Sequence, residues 1–154
     1  MSQPAAILFY SKTTDHACFS NFSPHPIELD GKTWPTSEHY YQAQKFVGTE
    51  HEEMIRQTQS PGKAKRMGRS PKVPIRPDWE AVKDDVMRKV VMAKFTQHDD
   101  LRAILLATGD VELIEHTTND SYWGDGGDGS GRNMLGRILM EVRERLRKEI
   151  SSKG

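Results

Sequence analysis

Glu38, Gln42 and Lys45 recur at i, i+4 and i+7 with Tyr41 beside them, so one helical face would bring a carboxylate, an amide, an amine and a phenol together. Acid-base chemistry is within reach of such a set. The same spacing also suits a solvated face, with Glu38 beside the positive end of the helix dipole. The Tyr40-Tyr41 pair weighs against that, because a purely solvated face seldom carries so much aromatic surface. A second cluster is Asn119-Asp120-Ser121-Tyr122-Trp123-Gly124-Asp125, where carboxylates bracket two aromatics. There a planar ring could stack on Trp123 while a carboxylate handles a proton or a sugar.

Five glycines fall within residues 124–131 and open onto a helical pattern. Bare amides at a helix N-terminus suit a phosphate. The loop is not a P-loop, since Arg132 and Asn133 stand where Lys and Ser/Thr would touch phosphate and magnesium. Residues 54–77 carry seven cations, Arg56, Lys63, Lys65, Arg66, Arg69, Lys72 and Arg76, and no acid. Such a field attracts phosphate. The whole chain balances 22 basic against 22 acidic residues, and residues 54–77 hold no stacking aromatic, so one or two phosphates fit better than a long nucleic-acid groove. A plain solvated basic surface is the alternative. The six histidines show no metal-ligand spacing and Cys18 is single, so neither a metal site nor a disulfide is expected. His39 reads as a capping or core histidine.

The elements that must position these groups follow from local signals. With 154 residues, one domain spanning the chain is expected, α+β and mostly helical with a small sheet. Residues 7–10 suit a short buried strand, and Asp30-Gly31 a tight hairpin between Ile27 and Thr33. Thr36 caps a long helix that runs to Gly48 with Tyr40, Ala43 and Val47 on its core face. Met54 and Ile55 sit on a short helix, and Ser60-Pro61 starts another that Gly68 ends. Three prolines stiffen residues 70–77. The longest helix then begins at Asp78, with Trp79, Val82, Val86, Val90 and Ala93 recurring at spacings of three and four as its apolar stripe. Leu101 to Leu105 continue a helix, Val111 to Ile114 a strand, and Leu135, Ile138, Leu139, Val142 and Leu146 stripe the last helix. No apolar run reaches the roughly 18 residues of a membrane span, and the N-terminus lacks a secretory pattern, so a cytoplasmic protein without membrane contact is expected.

Four ordered blocks, Ser20-Asn21-Phe22, Trp34 to Phe46, Asn119 to Gly126 and Gly131 to Gly136, resemble the signatures of the NADAR family (NAD- and ADP-ribose-associated), and within it the bacterial N-glycosidases. The likeness spans roughly residues 7–148. It implies hydrolysis of a bond between ribose C1 and nitrogen. The substrates implied are phosphoribosylamino pyrimidine intermediates of riboflavin biosynthesis, or ADP-ribose attached to guanine in nucleic acid. By motif, Glu38, Trp79, Asp120 and Trp123 would be functional, with Asn21 and Lys45 as neighbours. An oxocarbenium-like transition state asks for a carboxylate near C1. On that reading Glu38 stabilises charge or activates water and Asp120 supports it, while Lys45 is a rival nucleophile. Trp79, Trp123 and Tyr41 would clamp the substrate, and Gly124, Asp125 and Arg66 would lie along its phosphate and sugar. No cofactor is implied. A noncatalytic ADP-ribose or nucleotide reader, and a nucleic-acid module built on residues 56–76, are the competing functions.

Overall fold

The computed structural model describes residues 6–10 and 15–153. Its elements are β1 (Ala6–Phe9), a 3₁₀ turn (Ala17–Phe19), β2 (Ile27–Leu29), β3 (Lys32–Trp34), α1 (Ser37–Gln44), α2 (Glu50–Gln57), α3 (Pro61–Gly68), α4 (Trp79–Gln97), α5 (Asp99–Ala107), β4 (Glu112–Glu115) and α6 (Met134–Lys153). The fold is α+β and mostly helical, with two two-stranded sheets among the described residues. Contacts group the chain into two units, Asn21–Gln97 and the flanking Met1–Ser20 with His98–Gly154.

In the unit Asn21–Gln97, β2 and β3 pair antiparallel with Leu29 opposite Lys32. The turn between them has positive φ at both Asp30 (55°) and Gly31 (77°), as a type I′ turn requires. The hairpin is fastened to its surroundings by side chains. Tyr40 donates its hydroxyl to Asp30 Oδ2 at 2.8 Å, and Trp34, fully buried, stands edge-on to the Tyr40 ring at 5.1 Å.

The start of α1 is fixed by Thr36, whose hydroxyl oxygen accepts from His39 N at 3.1 Å. Helices α2, α3 and α4 and strand β3 all pack on α1, and each of its eight residues is buried. No face of α1 is left for solvent, so the solvated reading of the Glu38 face is set aside. The helix also ends sooner than its pattern suggests. Lys45 closes it, Gly48 turns with φ 83°, and Val47 is exposed while Phe46 takes the core position. Ser60 caps α3 by accepting from Lys63 N at 3.1 Å. Along α4 the buried residues are Trp79, Met87, Val90, Val91, Lys94 and Phe95. Of the expected stripe Trp79 and Val90 are buried while Val82, Val86 and Ala93 are only partly so; Lys94 lies inward instead, donating Nζ to Ser23 Oγ at 2.7 Å.

In the other unit β1 and β4 pair in parallel, Ala6 opposite Glu112 through Phe9 opposite Glu115. Only Phe9 of β1 is fully buried, and Leu8 is exposed. Helix α6, at 20 residues the longer of the two long helices, buries the expected stripe Leu135, Ile138, Leu139, Val142 and Leu146 and packs on β4. Asn133 ties the two together. Its Oδ1 accepts from Glu115 N at 3.0 Å and its Nδ2 donates to Leu113 O at 2.9 Å. Among the described residues no helix is long and apolar enough to cross a membrane.

Candidate active site

Burial of α1 places Glu38 in the interior of its unit, 7% exposed. Its Oε2 accepts from Gln42 Nε2 at 2.6 Å. Burial pushes this carboxyl above its ordinary value, although the Gln42 hydrogen bond and the cations Lys65, Lys45 and Arg69 pull the other way. Two turns on, Lys45 donates Nζ to Gly68 O at 3.3 Å and lies 5.7 Å from the Tyr41 ring and 6.0 Å from the Trp79 ring. Burial lowers its amine below the usual range; Glu38 opposes that, and Arg69 and Lys83 add to it. Tyr41 and Trp79 stand edge-to-face at 5.2 Å. The structure thus joins Glu38, Lys45, Tyr41 and Trp79 in one cluster: an acid and an amine in a low-dielectric wall of aromatics, rimmed by cations.

Asn21 braces this cluster. Its backbone carbonyl accepts from Glu38 N at 3.1 Å, and its Oδ1 accepts from Ser37 Oγ at 2.9 Å. With its Nδ2 directed at Met87 Sδ at 3.4 Å, the side chain is spent on holding the first turn of α1. Arg66 is exposed, and the cations of α3 and its end that act on Glu38 are Lys65 and Arg69. Residues 54–77 contain both of these cations as well as Arg66. Gln42 was visible at i+4 from Glu38 without its role, and Gly68 was legible only as a helix terminator. His39 is a core histidine: Nδ1 pairs with Thr36 Oγ1 at 2.8 Å, and Nε2 donates to Thr58 O at 2.9 Å.

Asp120, Trp123, Gly124 and Asp125 gather in the other unit. Asp120 Oδ1 accepts from Tyr122 N and Trp123 N, both at 2.8 Å, an Asx turn that sets the adjacent rings. The Tyr122 and Trp123 rings lie 4.9 Å apart, and the Arg132 guanidinium stands 5.7 Å from the Tyr122 ring. Asp125 is turned inward. Its Oδ1 accepts from Thr117 N at 3.0 Å and Gly127 N at 2.8 Å, and its Oδ2 meets His116 Nδ1 at 2.7 Å. Gly124 is a packing glycine, since a Cβ there would lie 2.6 Å from Thr117 Cγ2.

The expected phosphate cradle is corrected by the same hydrogen bonds. The amides of Gly131, Arg132, Asn133, Met134 and Leu135 donate to the carbonyls of Asp125, Ser121, Gly124, Tyr122 and Trp123. The loop therefore caps α6 with its own backbone, and those amides cannot also receive an anion. Among the described residues no group of three or more His, Cys, Asp or Glu side chains could hold a metal ion.

The chain as a whole resembles known proteins. The chain is 58% identical over 144 residues to the N-glycosidase YbiA of Escherichia coli (strain K12), covering 94% of this chain and 90% of that one. It is 48% identical over 146 residues to the riboflavin biosynthesis protein VVA0006 of Vibrio vulnificus, covering 95% of this chain and 39% of that longer protein. The NMR structure of E. coli YbiA matches with a TM-score of 0.88 at 56% identity, over 97% of this chain and 89% of that chain. The NADAR domain matches residues 8–147, so that both the Glu38 cluster and the Asp120 loop fall inside it, and the chain belongs to the NADAR domain family.

Proposed function

We infer that this enzyme, a hydrolase of N-glycosyl bonds like its relatives, cleaves the bond between ribose C1 and nitrogen in a phosphorylated N-riboside. The observation that carries the reading is the buried Glu38 carboxylate, set among Lys45, Lys65 and Arg69 beside the Tyr41–Trp79 wall. Scission of a C1–N bond builds positive charge on the sugar, and a desolvated carboxylate is worth most against charge that appears only in the transition state. Glu38 would stabilise that charge or take a proton from the attacking water while the base leaves with the bonding electron pair. Trp79 offers a face for the base, and Lys65 and Arg69 suit the phosphate carried by the ribose. The resemblance assigns Asp120 and Trp123 to the same reaction.

Two substrate types fit this chemistry: a phosphoribosylamino pyrimidine, in keeping with the name of the Vibrio vulnificus relative, and ADP-ribose attached to guanine. A covalent route is favoured by the setting of Lys45, half-buried 5.7 Å from the Tyr41 ring and 6.0 Å from the Trp79 ring, where desolvation lowers its basicity. There the neutral amine attacks C1, the base departs with the electron pair and a proton, and the opened ribose is held as a Schiff base until water releases it. The test is to incubate the purified protein with each substrate and follow release of ribose 5-phosphate or ADP-ribose by mass spectrometry. Glu38→Gln should cut turnover by about 10²-fold or more while binding survives. Unchanged turnover in this variant would remove Glu38 from the reaction. Borohydride added during turnover should trap a Lys45 adduct if the covalent route runs, and no adduct removes that route.

A further inference from the structure

Gln42 is 4% exposed and its amide is used on one side only. Nε2 donates to Glu38 Oε2, whereas Oε1 is buried without a hydrogen-bond partner among the described residues. A buried orphan acceptor is a standing cost that a core does not normally keep without reason. Gly68 makes the seat possible: a Cβ at that position would lie 1.9 Å from Gln42 Oε1 and 2.7 Å from its Cδ. The carbonyl of the same glycine takes Lys45 Nζ at 3.3 Å. One residue of α3 therefore sets the amide that holds the acid and the acceptor that holds the amine.

We propose that Gln42, seated against Gly68, is a positioning residue that ties down Oε2 of Glu38 in its ionised form. The proposal rests on the catalytic reading of Glu38 given above. The orphaned carbonyl follows from it, because turning the amide over would set Oε1 of Gln42 against the carboxylate, which repels it. The amide stays with its donor toward Glu38 for as long as Glu38 is charged. The other charges around this pair come from several elements. Lys65 and Arg69 on the α3 side and Lys45 after α1 act on Glu38, while Lys83 and Glu80 of α4 act on Lys45. Glu52 of α2 acts on Tyr40, and Lys32 of β3 on Asp30.

The experiment compares Gln42→Met, which keeps the shape and loses the donor, with Gln42→Glu and Gly68→Ala. Two quantities are read against pH: kcat/KM for the phosphoribosylamino pyrimidine, and the ¹³C carboxyl resonance of Glu38 in the unliganded protein. In Gln42→Met the Glu38 titration and the acid limb of kcat/KM should both move to higher pH, with kcat/KM on the acid side falling about tenfold, the worth of one charge-assisted hydrogen bond. Gln42→Glu should move them further, because two adjacent carboxylates cannot both ionise freely. Gly68→Ala, by displacing the amide, should shift them the same way. A merely structural role would lower activity or stability without this ordering. Unmoved titration and unmoved limb in folded Gln42→Met overturn the proposal. A titration that moves while the limb stays supports the hold of Gln42 on Glu38 and overturns Glu38 as the reacting carboxylate.

Discussion

Replacing Asp125 by alanine separates a loop brace from a ligand. The carboxylate is 5% exposed and accepts from Thr117 N, Gly127 N and His116 Nδ1 at 3.0, 2.8 and 2.7 Å. Truncation strands two backbone amides, and the half-exposed His116 adds little. At roughly 1.5–3 kcal/mol for each hydrogen bond to a charged acceptor, with incomplete additivity, the loss should be about 3–5 kcal/mol. Domains are stable by roughly 5–15 kcal/mol, so this is a large fraction, and it should lower Tm by about 6–20 °C. Asp125→Asn keeps one carbonyl for the two amides and should lose about half as much. The pH dependence has a definite sign. Burial raises the Asp125 carboxyl, but the hydrogen bonds from His116, Gly127 and Thr117 more than reverse this and leave it lowered. Its stabilisation is therefore present above the ordinary value of 3.8 and fades as pH falls below it, so wild type and Asp125→Ala should converge toward acid. Urea titrations across pH measure this. A loss under about 1 kcal/mol at pH 7, with activity abolished, would refute the brace and return Asp125 to the substrate.

Two further substitutions test the energetics of the same regions. Glu38→Gln should be more stable than wild type at pH 7 by the order of 1 kcal/mol, as is usual when a functional group held against its preference is removed. Because the folded carboxyl is raised, its penalty grows as pH rises through the folded value and is absent below 4.5, so the gain should vanish in acid; a gain that persists there would sink the argument. Gly136→Ala would set a Cβ 2.0 Å from Leu113 O, a backbone atom that cannot yield. The overpacking should cost about 1–3 kcal/mol in urea unfolding despite the better helix propensity of alanine, and a stabilised variant would show that α6 can slide on β4.

Signals that act within a few residues were legible. Asp30-Gly31 demanded its turn, Thr36 and Ser60 their caps, and the period of α6 its buried stripe. Reading failed where the destination of a group is set by distant chain. The polar face of α1 looks solvated in isolation and is buried because β3, α2, α3 and α4 surround an eight-residue helix. The glycines of residues 124–131 look like an anion nest until the partners of the following amides are traced to the loop's own carbonyls. Lys94 breaks the apolar rule that phased α4, since its amine is satisfied by Ser23, 71 residues away in sequence. The choice of Lys65 and Arg69 over Arg66 depends on which side of a two-turn helix meets α1, and composition carries no such phase.

Desolvation gives the Glu38–Lys45 pair its chemical use. The same burial that raises the acid lowers the amine, drawing together two groups whose ordinary values are 4.5 and 10.5. As that gap narrows, moving a proton between them becomes easier, which serves a carboxylate that must take a proton from water and an amine that must lose one to attack C1. The surrounding cations limit the process for the acid and extend it for the amine: Lys65 and Arg69 keep Glu38 ionisable, while Arg69 and Lys83 push Lys45 down further. Arg69 lowers both: it opposes the effect of burial on Glu38 and adds to it on Lys45. Its charge at the end of α3 therefore belongs to the reactivity of the pair as well as to the affinity for phosphate, and an arginine that bound phosphate alone would change KM without changing the pH at which turnover begins.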